Sequence, residues 1–139
     1  MKNEQLDLWL NNPYILALAN FSVAALAMLV FLAIFELVTV YKAYDEIRRG
    51  NVAVALTISG KIFGIANVFR FAIETHESVY VALLWASFGF VLLLIAYFMF
   101  EFLTPFKVDK HIEQGNTAVG LISFVISVAL SYIVGASIP

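Results

Sequence analysis

Four long apolar runs, about Tyr14 to Val40, Val52 to Ile73, Val79 to Leu103 and Thr117 to Ile138, take up most of this 139-residue sequence. Each is near or above the roughly 20 residues that a helix needs to cross about 30 Å of hydrocarbon. Inside a bilayer every backbone polar group must bond within the protein, so only helices and closed barrels span it. Barrel strands would alternate polar and apolar residues, whereas here isolated polar residues interrupt continuous Leu, Phe, Ala and Val. The chain is therefore expected to be an all-α membrane protein with four transmembrane helices. At 63% hydrophobic and 13% charged residues it leaves no soluble domain over. The first run is much longer than the roughly 7 to 15 apolar residues of a secretory signal, so it is expected to stay attached.

The stretch Phe35 to Leu56, FELVTVYKAYDEIRRGNVAVAL, recurs 65 positions later (100 minus 35) as Phe100 to Leu121, FEFLTPFKVDKHIEQGNTAVGL. Phe35, Glu36, Thr39, Lys42, Ile47, Gly50, Asn51, Ala53, Val54 and Leu56 all reappear unchanged. Such self-similarity at a fixed shift predicts a tandem duplication of a two-span unit. The predicted organisation is an N-terminal arm over 1–12, a first repeat over 13–74 and a second over 75–139.

In the arm, Leu6, Leu8, Trp9 and Leu10 between polar neighbours suit either a headgroup-layer segment or a tail. Asn12 followed by Pro13 predicts a helix start. Pro105 predicts a break of the third span at Thr104, because the residue before a proline is kept out of the helical region, and a similar bend is expected in the first copy. The segments Tyr41 to Arg49 and Phe106 to Gln114 are predicted as short cytoplasmic interfacial helices along the membrane surface. Gly50-Asn51 and Gly115-Asn116 are predicted helix junctions, Gly ending one helix in the left-handed conformation and Asn capping the next.

Lys42, Arg48 and Arg49 precede the second span, and Lys107 and Lys110 the fourth, whereas the remaining inter-span loop offers Glu74, His76 and Glu77. Positive charge accumulates on the cytoplasmic side. Both repeat junctions are therefore expected in the cytoplasm, both termini outside, and the two units in parallel orientation.

A transmembrane helix, a short charged piece, then Gly-Asn and an Ala/Val-rich helix, twice over, resembles the small bacterial inner-membrane proteins of the YjfL family, catalogued as domain of unknown function 350. The matching positions are Gly50-Asn51-Val52-Ala53-Val54-Ala55 and Gly115-Asn116-Thr117-Ala118-Val119-Gly120. The resemblance implies four spans, a bacterial inner (cytoplasmic) membrane and a role near peripheral membrane-remodelling proteins, with no established activity. Lys61 departs from it, since an apolar residue is expected there.

Ionisable residues within spans need partners or water and are functional candidates by default. Glu36, Lys61 and Glu101 form the expected intramembrane charge cluster. Side chains tilt toward their own helix N-terminus, so in antiparallel first and second spans Glu36 and Lys61 are expected to approach each other. The position equivalent to Lys61 is Ile126, leaving two carboxylates for one ammonium. Either one Glu carries a proton, or a cation or polar group from the fourth span or another protomer joins them. The roles that fit are a structural ion-pair cluster, proton or cation handling, and Glu side chains that reach the interface. Arg70 and Glu74 are spaced as an i, i+4 pair near the outer end.

Gly60 and Gly64, with Ala53, Thr57 and Asn67, stripe the second span, and Gly120, Ser123, Ser127 and Ser131, with Gly135, stripe the fourth. In lipid, close approach at small residues and hydroxyl bonding carry helix association. The stripes are expected to seat helices, first repeat against repeat and then between copies of a homo-oligomer.

No nucleophile-base pair, phosphate loop or metal-ligand spacing occurs, His76 and His111 stand alone, and there is no cysteine. A net charge of -2 without a basic cluster gives no case for nucleic acid. The expected function is a non-enzymatic, oligomeric membrane scaffold or partner-binding component in envelope maintenance, without cofactor, docking a cytoplasmic partner through Arg48 and Arg49. The alternative is a proton or small-cation channel or transporter using Glu36, Lys61 and Glu101.

Overall fold

A computed structural model describes residue 5, residues 8 and 9, and residues 11–139. The arm expected over 1–12 rests in part on Leu6 and Leu10, which lie outside the described residues; Leu8 and Trp9 are exposed. Six helices follow: α1 Pro13–Val38, α2 Ala43–Arg48, α3 Val52–Thr75, α4 Val79–Leu103, α5 Val108–Glu113 and α6 Thr117–Ala136. No strand occurs among the described residues. The four long helices are long and apolar enough to cross a membrane, with mean hydropathies of 2.5, 1.7, 2.4 and 2.2.

The helix boundaries follow from local chemistry. Asn12 Oδ1 accepts from the Tyr14 N–H at 3.0 Å, with Pro13 in the first turn. Pro105 explains why α4 stops before Thr104, yet α1 stops at the equivalent Thr39 with no proline after it. Both threonines turn their hydroxyls back onto the last helical turn, Thr39 to Glu36 O at 3.0 Å and Thr104 to Phe100 O at 2.7 Å.

The two Gly-Asn junctions are built alike. Gly50 and Gly115 both have φ +84, where an L side chain would be strained. The following Asn N–H returns to Glu46 O or His111 O at 3.0 Å, a closing bond that satisfies a carbonyl otherwise left unpaired at the helix end. Asn51 and Asn116 then cap α3 and α6 by accepting from Val54 N–H and Val119 N–H.

The most extensive helix contact is α3 against α6. Ala53 meets Gly120, Gly60 meets Phe124, Gly64 meets Ser127, and Asn67 Nδ2 donates to Ser131 Oγ at 3.1 Å. Residue numbers climb together on both sides of these pairs, so the two helices run parallel and both Gly-Asn junctions lie at one end of the bundle. The small-residue stripes therefore meet each other within the chain. A Cβ on Gly60 would stand 2.7 Å from Phe124 Cα, and one on Gly120 2.7 Å from Ala53 Cα, so glycine is what lets the backbones touch.

α1 and α4 complete the bundle through stacked phenylalanines: Phe31 lies 4.2 Å from Phe90 and 5.6 Å from Phe69, and Phe35 meets the Phe90 ring edge-on at 5.3 Å. Phe31 and Phe35 are the buried residues of α1, whose Phe21, Leu26, Leu29, Val30 and Leu37 face outward. In the segment Phe106 to Gln114, expected along the membrane surface, Val108, Asp109 and Ile112 of α5 are buried against the bundle. Val108 and Ile112, one turn apart, pack with Ala53, Val54 and Tyr41, and that apolar contact pulls the short helix against the start of α3.

Candidate functional site

Lys61 lies on the face of α3 that carries Gly60 and Gly64, and is only 4% exposed. Its Nζ has no hydrogen-bond partner. It stands over two rings, 4.9 Å from the centroid of Phe35 and 4.7 Å from that of Tyr97, where the negative ring faces attract an ammonium. Beside it is a cavity of about 30 Å³ that Ser123 and Ser127 also line. A water needs about 10–15 Å³ of such space, so there is room for one or two, with an amine and two hydroxyls as partners.

From Lys61 a line of polar groups leads to the end of the bundle that holds the junctions. Tyr97 Oη donates to Asp109 Oδ1 at 2.6 Å. Asp109 is itself 4% exposed, and its other oxygen accepts from the Val40 N–H at 3.3 Å. The Asp109 N–H reaches Glu101 Oε2 at 3.4 Å, and Glu101, Asp109, Lys107, Lys110 and Glu113 line an opening at that end. Tyr41 sits close by, buried, with its hydroxyl unpartnered. Burial first, and the negative charge of Asp109 second, push its phenol well above the usual range. Away from the junctions, Phe31, Ile65, Val68, Phe69, Phe90 and Leu93 form an apolar core, beside which the buried Asn67 and Ser131 bond to each other.

The expected cluster of Glu36, Lys61 and Glu101 does not form: among the described residues Lys61 makes no salt bridge. Side-chain tilt predicts the heights of Glu36 and Lys61 but not their directions around the helices. Phe35 takes the core-facing position on α1, so Glu36, about 100° further round, opens onto an outer groove with Ala55, Ile58 and Ile62. Glu101 does join the polar line, through Asp109 rather than Lys61.

Asp109, Tyr97 and Tyr41 are the members sequence reasoning missed. A signal existed for Tyr97, four residues before Glu101 and so on the same helix face. For Asp109 the signal was the Val108/Ile112 pair, which turns its short helix inward.

The remaining candidates are placed simply. Arg48 is exposed, and Arg49 pairs with Glu46 at 3.1 Å on the surface. Asn51 Nδ2 donates to Ile112 O at 3.2 Å and Glu113 O at 2.8 Å, holding the two junctions together. Arg70 and Glu74 lie 3.6 Å apart, both about half exposed, an arrangement worth little energy. His76 approaches Ala72 O and stacks on Trp85, while His111 packs on Phe106. The described residues contain no group of three metal-ligating side chains.

Comparison with known proteins gives two matches. The family DUF350, Domain of Unknown Function, matches residues 8–138. The UPF0719 transmembrane protein YshE of Bacillus subtilis (strain 168) is 55% identical over 133 residues, 95% of this chain and 98% of that protein. No solved structure matches.

Proposed function

This chain belongs to the DUF350 family, and from that premise we propose that it is a non-enzymatic scaffold of a bacterial inner membrane, built as a tandem duplication and working as a homo-oligomer. The Gly-Asn junctions face the cytoplasm and both termini face outside, as the excess of Lys and Arg beside the junctions favours. Arg48 and Arg49, on the short helix before the first junction, dock a peripheral membrane-remodelling protein. The observation that carries this reading is where the polar groups go. Asn51, Asn67, Ser131, Tyr97 and Asp109 join the chain's own helices, while Arg48 stays exposed at the junction end. The test is co-purification from membranes: Arg48→Glu with Arg49→Glu abolishes capture of the cytoplasmic partner, and Glu36→Gln retains it. Capture that survives the double charge reversal would falsify the docking role.

A second reading is favoured by one observation, the unbonded Lys61 amine next to the Tyr97–Asp109 bond. Here Lys61, Tyr97, Asp109 and Glu101 carry protons between the bundle centre and the junction end. Vesicles holding the protein and a pH-sensitive dye test it. Under an imposed gradient the wild type leaks and Lys61→Met does not; a wild-type leak equal to that of empty vesicles ends this reading.

A further inference from the structure

A buried ammonium is destabilising in hydrocarbon unless a negative group faces it, and Lys61 has none within bonding distance among the described residues. Of the carboxylates toward the junction end, Asp109 is taken up by Tyr97 and the Val40 N–H, Glu101 lines the opening at that end, and Glu36 opens onto the outer groove. No carboxylate lines the cavity of about 30 Å³ that Lys61 borders between α3, α4 and α6. Tyr97 shares its wall, but the Tyr97 hydroxyl proton is already given to Asp109.

The two serines of that wall are unlike other hydroxyls of the long helices. Ser22, Thr57, Ser59 and Ser87 each donate to the carbonyl four residues earlier, at 2.8, 3.0, 2.8 and 2.7 Å, the usual resort of a hydroxyl on an apolar helix. Ser123 and Ser127 make no such bond and border the cavity instead, although Ser123 is only 5% exposed. One turn apart on α6, they bracket the level of Lys61, because Gly60 lies against Phe124 and Gly64 against Ser127. The internal similarity of the sequence singles out the same three residues. At the shift of 65 positions, Lys61 matches Ile126, Ser123 matches Ile58 and Ser127 matches Ile62. Each of them is polar where the other half of the chain has isoleucine, and the three differences, carried by two helices, meet in one small space.

We propose that this cavity binds one small monovalent anion, of the size of chloride, held by the Lys61 ammonium and the hydroxyls of Ser123 and Ser127. An ammonium offers only donors, and a serine hydroxyl can turn its proton inward, so all three can aim hydrogens at a single guest. Chloride accepts from all of them and cancels the charge, whereas a water in its place leaves the charge uncompensated. Leu93, Ile126 and Leu130 form apolar parts of the wall, and an apolar surround strengthens the attraction between ammonium and anion. Room for one or two waters admits a halide and excludes an anion carried on a carbon chain, such as gluconate. The site is independent of the docking role. It also differs from the proton-carrying reading, since here the amine keeps its proton as the counter-charge of the anion.

Exchange of chloride for gluconate at constant ionic strength, with the purified protein in bicelles, tests this. Wild-type stability rises with chloride, the folded-to-unfolded ratio climbing about tenfold for each tenfold of chloride above the dissociation constant. Equilibrium dialysis with radioactive chloride finds one ion per chain. Lys61→Met removes both the binding and the chloride dependence, and in gluconate it is at least as stable as the wild type. Ser123→Ala with Ser127→Ala keeps the ammonium, removes both hydroxyls and weakens binding at least about tenfold. Absence of saturable chloride binding by the wild type, with no gain in stability over gluconate, overturns the proposal whether or not the variants fold. A chloride gain that Lys61→Met retains in full is a general effect of salt and overturns it too, as does binding that the serine pair leaves unchanged.

Discussion

Gly120→Ala should be among the most damaging single-methyl additions in this protein. The new Cβ would lie 2.6 Å from Ala53 O and 2.7 Å from Ala53 Cα, where ordinary contact begins at 3.4 Å. Both obstacles are backbone, so no side-chain rotation relieves them, and α3 and α6 must part locally by about 0.8 Å (3.4 minus 2.6). A gap of 0.5–1 Å forfeits about a quarter to a half of each atom–atom attraction. Over roughly 20 pairs at about 0.15 kcal/mol each, that is about 0.75 to 1.5 kcal/mol of lost packing. Residual strain brings the total toward the range of about 1–3 kcal/mol seen for overpacked cores. The folded fraction should then fall about 5- to 140-fold relative to the unfolded. Gly64→Ala is the matched control. Its Cβ would meet Ser127 O at 3.3 Å, within a few tenths of an ångström of an ordinary contact, and it should cost well under half as much. Reversible unfolding of both variants in bicelles, followed by Trp fluorescence, measures the difference. Equal stability of the two variants, or a greater loss for Gly64→Ala, would refute the claim that backbone contact at the junction end limits helix approach.

Lys61→Met should leave stability unchanged or raise it, since replacing an unpaired buried ammonium with an apolar side chain of similar length removes a desolvated charge; a clear loss in the same unfolding assay would mean the amine has a stabilising partner. Asp109→Asn keeps an acceptor for Tyr97 but turns an NH2 toward the Val40 N–H, and should cost about 1–3 kcal/mol. Tyr41→Phe should be neutral or stabilising near pH 7, because the hydroxyl it removes has no partner. Since the folded state holds the Tyr41 proton more tightly than the unfolded state does, stability contributed by this group is full below the ordinary phenol value of about 10 and is lost as pH rises past it. An unfolding series from pH 8 to about 11 should therefore be flatter for Tyr41→Phe than for the wild type.

The elements were legible in the sequence because local chemistry decides them. Asn12-Pro13, the two Gly-Asn pairs and Thr104-Pro105 each fix a boundary through a cap, a left-handed glycine or a proline. The small-residue stripes named the right faces of α3 and α6, since periodicity reports the side of a helix that lies against a neighbour. Periodicity does not report which neighbour, and there the reading of the site failed. Glu36 and Lys61 share a depth but point to different sides of their helices, a fact set by the Phe31, Phe35 and Phe90 contacts between α1 and α4. Asp109 was hidden for a related reason: a six-residue helix with charges on it reads as surface until Val108 and Ile112 are seen to bury one side of it.

The phenylalanine contacts of α1 also bear on how the chain is made. Phe31 and Phe35 are translated first, but the ring that grips both, Phe90, is translated 55 residues after Phe35 (90 minus 35). Phe69, on which Phe31 also stacks, comes 34 residues after Phe35 (69 minus 35), and until then α1 holds its place on hydropathy alone, which is the highest of the four long helices. Insertion of the first helix and its docking are thus separate events in time, and a chain halted before Phe69 would leave α1 without any of the rings it stacks on.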